Sequence, residues 1–204
     1  ANTLALINID QDTTFSGSIE TTDINNAAST TATFSDNVTA TITNSGTLLF
    51  NATDAKSVTG TIAEATGGDT TEVQVINSAN SEAPSVVTFT AAVAADTLTI
   101  GTTTYGGAAL FEEAVTTPTI SVVGGDHADE DSTVTFNKAV TSSSGITLND
   151  QTGDAKVIFA ANNSVTITGT IDGASSDEGT LQVTGATKTF ASVIGGTQAL
   201  TLID

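Results

Sequence analysis

The sequence predicts an all-β protein, and within that class a parallel β-solenoid, a β-helix-like stack of short strands. Three observations carry the prediction. Six of the eight Phe residues have Val or Ile four positions later: Phe15/Ile19, Phe34/Val38, Phe89/Val93, Phe111/Val115, Phe136/Val140 and Phe190/Ile194. Apolar residues alternate with Thr at period two in many segments, the pattern of a half-buried strand. Turn-forming clusters such as SDN, NSG, TDAK, GGD, SSSG and IDG keep these runs short.

Phe and Val four apart could share a helix face. The flanks argue otherwise: five of the six Phe directly follow Thr, and Thr, Val, Ile and Ser crowd these segments. Such residues form helices poorly and suit a pleated surface. In a straight strand the residue two after Phe would share its face. Here it is Gly17, Asp36, Ala91, Glu113, Lys138 or Ser192, none a good core residue. The spacing therefore predicts a corner. Phe ends one strand, small or polar residues bend, and Val or Ile starts the next strand facing inward. Stacked windings would gather Phe, Val and Ile into one buried column.

In chain order, LALINID runs to Asp10, and Thr14-Phe15 follows as the first corner. Val38, Ala40 and Ile42 alternate with Thr39, Thr41 and Thr43, and Val165 and Ile167 alternate with Thr166 and Thr168. Leu98/Ile100, Leu181/Val183 and Leu200/Leu202 repeat the pattern. Residues 63–85 hold TGGDTTEV and NSANSEAPS, where Pro84 would end a strand. GGAALFEEAV, residues 106–115, has helical composition and predicts a short helix or a coil beside the stack. GGDHADED, residues 124–131, predicts a loop. The closing QALTLID echoes LALINID, so the chain is expected to be cut from, or to polymerise into, something longer. Without an initiating Met or signal peptide it reads as a processed chain or an excerpt.

A rival fold comes from two similar blocks, residues 30–62 and 133–171. They are offset by 102 at the Phe, 100 at the DAK tripeptides and 109 at TGTI. That is the signature of an old duplication, and it predicts two tandem β-sandwich domains with a boundary near 80–86. The motif gaps of 19, 22 and 25 favour the solenoid, a single elongated β-repeat domain over residues 1–204.

Four Lys and no Arg face 23 acidic residues, for a net charge of −19. Such a surface repels phosphate backbones and anionic lipid, so no nucleic-acid partner is expected. No apolar run reaches the roughly 20 residues of a membrane span, so no direct membrane insertion is expected. The absence of Cys excludes disulfides and thiolate metal sites. The acids would keep a Thr-rich surface soluble and stop strand edges from associating.

The 124–131 segment also carries the candidate chemistry. Asp126, Asp129, Glu130 and Asp131 lie within six residues, beside His127, the only His. Hard oxygens at close spacing suit calcium. The pattern is neither an EF-hand nor a full glycine-rich nonapeptide, so a solvated acidic loop competes with a calcium site. Asp172, Asp177 and Glu178, and also Asp10 and Asp12, are weaker versions of the idea. No nucleophile elbow accompanies the lone His. Without Trp, and with Tyr105 the only Tyr, no sugar-stacking platform is evident, so no enzyme is expected. Asn37-Val-Thr39, Asn51-Ala-Thr53 and Asn162-Asn163-Ser164 match the glycosylation acceptor pattern, which arises by chance in such a composition.

The phrases TVTFNKAV, GITLND, VTITGTIDG and GTLQVTGATKTFASVIGGTQALTLID resemble repeat regions of large bacterial surface proteins. These are autotransporter passenger regions, notably the rickettsial surface antigens, and S-layer-like proteins. The likeness is clearest over residues 133–204 and weaker over 1–62. The resemblance implies a non-catalytic, extracellular β-solenoid at the cell surface, part of an S-layer, coat or fibre. With it comes the expectation of calcium as a cofactor, as in S-layer-like proteins. The expected partners are copies of itself. The alternatives are an adhesin, contacting a glycan or host surface through loops near 63–72 and 124–131, and a sandwich-fold fibre subunit joined by a donated terminal strand.

Overall fold

The computed structural model describes residues 4–65, 70–79, 83–160 and 165–204. The chain winds as a parallel β-solenoid of about eight turns, with no helix among the described residues. The first windings have two strands each: Leu4–Ile9 (β1) and Thr13–Phe15 (β2), Ile19–Asn26 (β3) and Thr31–Phe34 (β4), Val38–Asn44 (β5) and Thr47–Asn51 (β6). Then the cross-section becomes three-sided. Lys56–Thr59 (β7), Ile62–Glu64 (β8) and Glu72–Ile76 (β9) form the first such winding. Val86–Phe89 (β10), Val93–Ala94 (β11) and Thr97–Ile100 (β12) form the next. Ala108–Phe111 (β13), Val115–Thr116 (β14) and Thr119–Val123 (β15) follow, then Ser132–Phe136 (β16), Val140–Thr141 (β17) and Gly145–Asn149 (β18). Ala155–Phe159 (β19), Val165–Thr168 (β20) and Ile171–Gly173 (β21) make another, before Thr180–Val183 (β22), Lys188–Phe190 (β23) and Leu202–Ile203 (β24).

The change from two sides to three is made on β5. Its first half pairs with β7 and its second half with β8. Between those two strands lies Gly60, at φ 114°, beside the straight run of β5 at Ala40. A Cβ on Gly60 would stand 2.0 Å from the Ala40 carbonyl oxygen, so only glycine allows the bend there. Above it the first face carries β7, β10, β13, β16, β19, β22 and β24, and the second carries β8, β11, β14, β17, β20 and β23. The third carries β2, β4, β6, β9, β12, β15, β18 and β21. Every pairing is parallel, unlike the antiparallel ladders of a sandwich. The ladders run unbroken past the suggested boundary near 80–86, from β7 to β10 and from β9 to β12. Residues 80–82 themselves lie outside the described residues.

The predicted corners form. Phe15 and Phe34 end third-face strands, and Ile19 and Val38 begin the next. Phe89, Phe111 and Phe136 end first-face strands, and Val93, Val115 and Val140 begin second-face strands. Phe190 ends β23, and Ile194 bridges to Ile171 on the third face. One sequence motif thus turns all three corners. The TGTI tetrapeptides behave alike: Gly60 bends first face into second, while Gly169, at φ 113°, bends second into third. The two blocks that suggested tandem domains are therefore not equivalent windings. Phe34 and Phe136, their matched Phe residues, stand on different faces.

The bore is an aromatic column. All eight Phe rings touch in sequence, from Phe15–Phe34 at 5.3 Å to Phe159–Phe190 at 5.6 Å. Phe15, Phe34 and Phe50 hang from the third face, and Phe89, Phe111, Phe136 and Phe159 from the first. Phe190 hangs from the second. Rings on one wall stack within 22° of parallel. At each change of wall the contact turns edge to face, 89° for Phe50–Phe89 and 78° for Phe159–Phe190. Both arrangements are favourable for aromatic pairs. Val, Ile and Leu fill the remaining inward positions and are buried.

One expectation is corrected. GGAALFEEAV is not helical: Ala108–Phe111 is β13, residues 112–114 make the corner, and β14 follows. Ladder partners on both sides, β10 and β16, outweigh the helical propensity of Ala and Glu. A polar corner column was not foreseen at all. Asn26, Asn44, Thr117 and Ser142 are buried where the second face bends into the third. Asn26 Nδ2 donates to Asn44 Oδ1 at 2.9 Å, and Ser142 Oγ donates to the Gly145 carbonyl at 2.8 Å. They satisfy backbone groups that the bend removes from the ladder.

Candidate functional site

The acidic loop 124–131 is the corner between β15 and β16. Gly125 N–H donates to the Glu130 carbonyl at 2.8 Å, and Gly153 N–H of the next winding donates to the Gly125 carbonyl at 3.0 Å. A Cβ on Gly125 would crowd the Glu130 carboxylate at 2.5 Å. Glu130 is 1% exposed, and its Oε2 accepts the His127 N–H at 3.2 Å, closing the loop from inside. Asp126, His127, Asp129 and Asp131 are exposed. Asp126 Oδ1 lies 3.6 Å from His127 Nε2. Asp131 Oδ1 accepts the Asp154 N–H at 2.8 Å. The four candidate ligands thus diverge: Glu130 faces inward, Asp131 reaches the next winding, and Asp126 and Asp129 face solvent. Among the described residues no group of three or more His, Cys, Asp or Glu gathers to hold a metal.

Asp131 belongs to a set of carboxylates that stitch windings together. Asp12 Oδ1 accepts the Thr31 N–H at 2.8 Å, and Asp150 Oδ2 accepts the Gly179 N–H at 2.8 Å. Asp172 Oδ1 accepts the Thr197 N–H at 3.3 Å. Each reaches a backbone donor one winding on, where a corner interrupts the ladder. The set includes two of the weaker calcium candidates, Asp12 and Asp172. Spacing in the sequence offers Asp131, Asp12 and Asp172 as calcium candidates or as solvated charge, and nothing in it distinguishes a stitch from either. Asp154 stands in this cluster, its N–H held by the Asp131 carboxylate. Desolvation, then the charges of Asp131 and Asp150, push its carboxyl above the ordinary range. Asp36 is shifted the other way, first by the Asn37 N–H, then by the Ser18 hydroxyl and Lys56.

A lateral groove of about 420 Å³ is lined by Glu64, Ala65, Thr70, Asp96, Thr97, Pro118 and Thr119. Among the described residues its lining holds no aromatic ring, His or basic group. Asp96 Oδ2 accepts the Thr71 N–H at 2.9 Å, so that carboxylate is already bonded to its turn. The groove adjoins the expected contact loop 63–72, of which residues 66–69 lie outside the described residues. Two glycosylation-pattern asparagines also hold windings together. Asn37 Oδ1 accepts the Ser57 N–H at 2.8 Å, and Asn51 exchanges two hydrogen bonds with Ser78. Asn162 and its neighbours to Ser164 lie outside the described residues.

The chain matches no protein-family model, no curated protein and no solved structure.

Proposed function

We propose that this chain is a non-catalytic structural rod of a bacterial cell-surface layer or extracellular fibre. The observation that carries the reading is the unbroken ring column inside in-register parallel ladders. The ladders join each winding to the next and the rings run through the bore across them, so the element resists bending along its length. About eight turns at ~4.8 Å per strand make a body roughly 40 Å long. The −19 exterior keeps such bodies apart in solution. Calcium enters this reading as a bridge between exposed carboxylates of neighbouring rods, with Asp126 and Asp129 the first candidates. Antibodies against the folded chain should label intact source cells without permeabilisation. Labelling that requires lysed cells overturns the reading.

The adhesin alternative draws on the lateral groove and the exposed 124–131 corner. It expects a monomer that binds a glycan or host protein, with binding lost on substitution of Asp96 or Asp129. A glycan array and a pull-down from host membranes distinguish it from the rod.

A further inference from the structure

The outward positions at the middle of the second face carry no charge, and the charged residues of its strands, Glu64 and Lys188, stand at strand ends by the corners. Its inward residues are Ile42, Ile62, Val93, Val115, Val140, Ile167 and Phe190, stacked in register. The two residues flanking each of these point outward, and in all seven strands both are Thr or Ala. They are exposed, apart from half-buried Ala94. The pattern stops at β3, where Asp23 and Asn25 flank Ile24. The other faces do not share it: Lys156 stands on the outside of the first, and Glu72 and Asp172 on the outside of the third.

We propose that this face is where two copies of the chain meet side by side, second face against second face. The proposal rests on the reading of the chain as an assembling structural rod. Charge selects the occupant. Each copy carries −19, so most contacts between copies would press carboxylates together. Here neither copy brings a charge to the Thr and Ala positions at the middle of the seven strands. Short side chains let two ladders approach closely, with methyl groups packing and hydroxyls bonding across. Glu112, Glu113 and Lys138 border the face at its corner with the first and Glu64 at its corner with the third, a charged rim around a neutral centre. Seven strands at ~4.8 Å, over a width of about 10 Å, offer roughly 300 Å² per copy. A standard interface uses about 800 Å² per partner, so each contact is weak and lasting assembly needs repetition. Salt screens the net charge, so it strengthens the pairing.

Because the chain has no Cys, single-cysteine variants report the contact directly. Thr116→Cys, at the centre of the face, should form an oxidised dimer about tenfold faster than Thr147→Cys, which is exposed on the third face, at equal concentration. Ala139→Cys on the next winding replaces Thr116→Cys if that variant does not fold. Added Thr141→Glu should bring the fast rate down to the slow one, and added salt should raise the fast rate. Equal rates for the two cysteines overturn the proposal and leave the surface-rod reading intact. Face-selective cross-linking without labelling of intact cells upholds the contact and removes the surface role.

Discussion

Phe136 is the residue whose loss tests the ring column most directly. It is 1% exposed and lies between Phe111 at 5.3 Å and Phe159 at 5.6 Å, within 22° of parallel to both. Phe136→Ala leaves a hole that the wall cannot close, because β16 is held in register by β13 and β19 on its two sides. A buried Phe→Ala change costs about 3–5 kcal/mol. That is a large share of the roughly 5–15 kcal/mol that holds a domain folded. The column makes a sharper claim about coupling. Leu substitutions at Phe136 and Phe159, which touch, should show an interaction energy of about 0.5–1.5 kcal/mol. The same substitutions at Phe34 and Phe159, which share no neighbour, should add to within about 0.5 kcal/mol. The assay is urea unfolding followed by far-UV circular dichroism, because the chain has no Trp and one Tyr to report by fluorescence. A cost below about 1 kcal/mol for Phe136→Ala, or no coupling between touching rings, would refute the column as a source of stiffness.

Gly60→Ala should cost about 1–3 kcal/mol or unfold the chain, since it combines positive φ with a Cβ 2.0 Å from the Ala40 oxygen; thermal melts measure it. Asn44→Ala should cost about 2–3 kcal/mol, because Asn44 is fully buried and its amide bonds Asn26 and both backbone groups of Gly46. A change within about 0.5 kcal/mol would show that the corner column is dispensable. Asp154→Asn should raise the melting temperature at neutral pH. The folded-state pKa of Asp154 is raised, so its charged form costs stability above that pKa, and the cost disappears as pH falls through it. The advantage of Asn over Asp must therefore shrink on acidification, and a gain that persists at low pH would contradict the assignment.

The corner was legible in the sequence because of what stands at the second position after each Phe. Asp36, Glu113 and Lys138 cannot enter an apolar bore, so the strand had to bend. Thr alternation fixed which residues face in, and those positions are buried. The three-sided cross-section was not legible, since it depends on Gly60 meeting Ala40 across windings. Ala and Glu in GGAALFEEAV misled because propensity is local, while the deciding ladder partners lie about 20 residues away on each side. In the 124–131 corner, adjacent Asp129 and Glu130 have like chemistry and opposite fates. The longer Glu side chain folds back to the His127 N–H among buried glycines, and composition alone could not separate the two.

The drifting offsets between the two similar blocks follow from the same geometry. A repeat tied to one wall would return each motif to the same face. Here the rings keep one column while their supporting wall moves from third face to first to second. What persists along the axis is therefore contact from ring to ring in the bore, and any wall can supply the ring. Where no Phe is available, as in β7–β9, the rings on either side still meet, edge to face at 5.2 Å. A constraint on the axis, with freedom around the wall, permits insertions at any corner without breaking the column. It also makes windings with the same mechanical role look unlike one another in sequence, since the Phe motif slides around the coil while the column it builds stays in place.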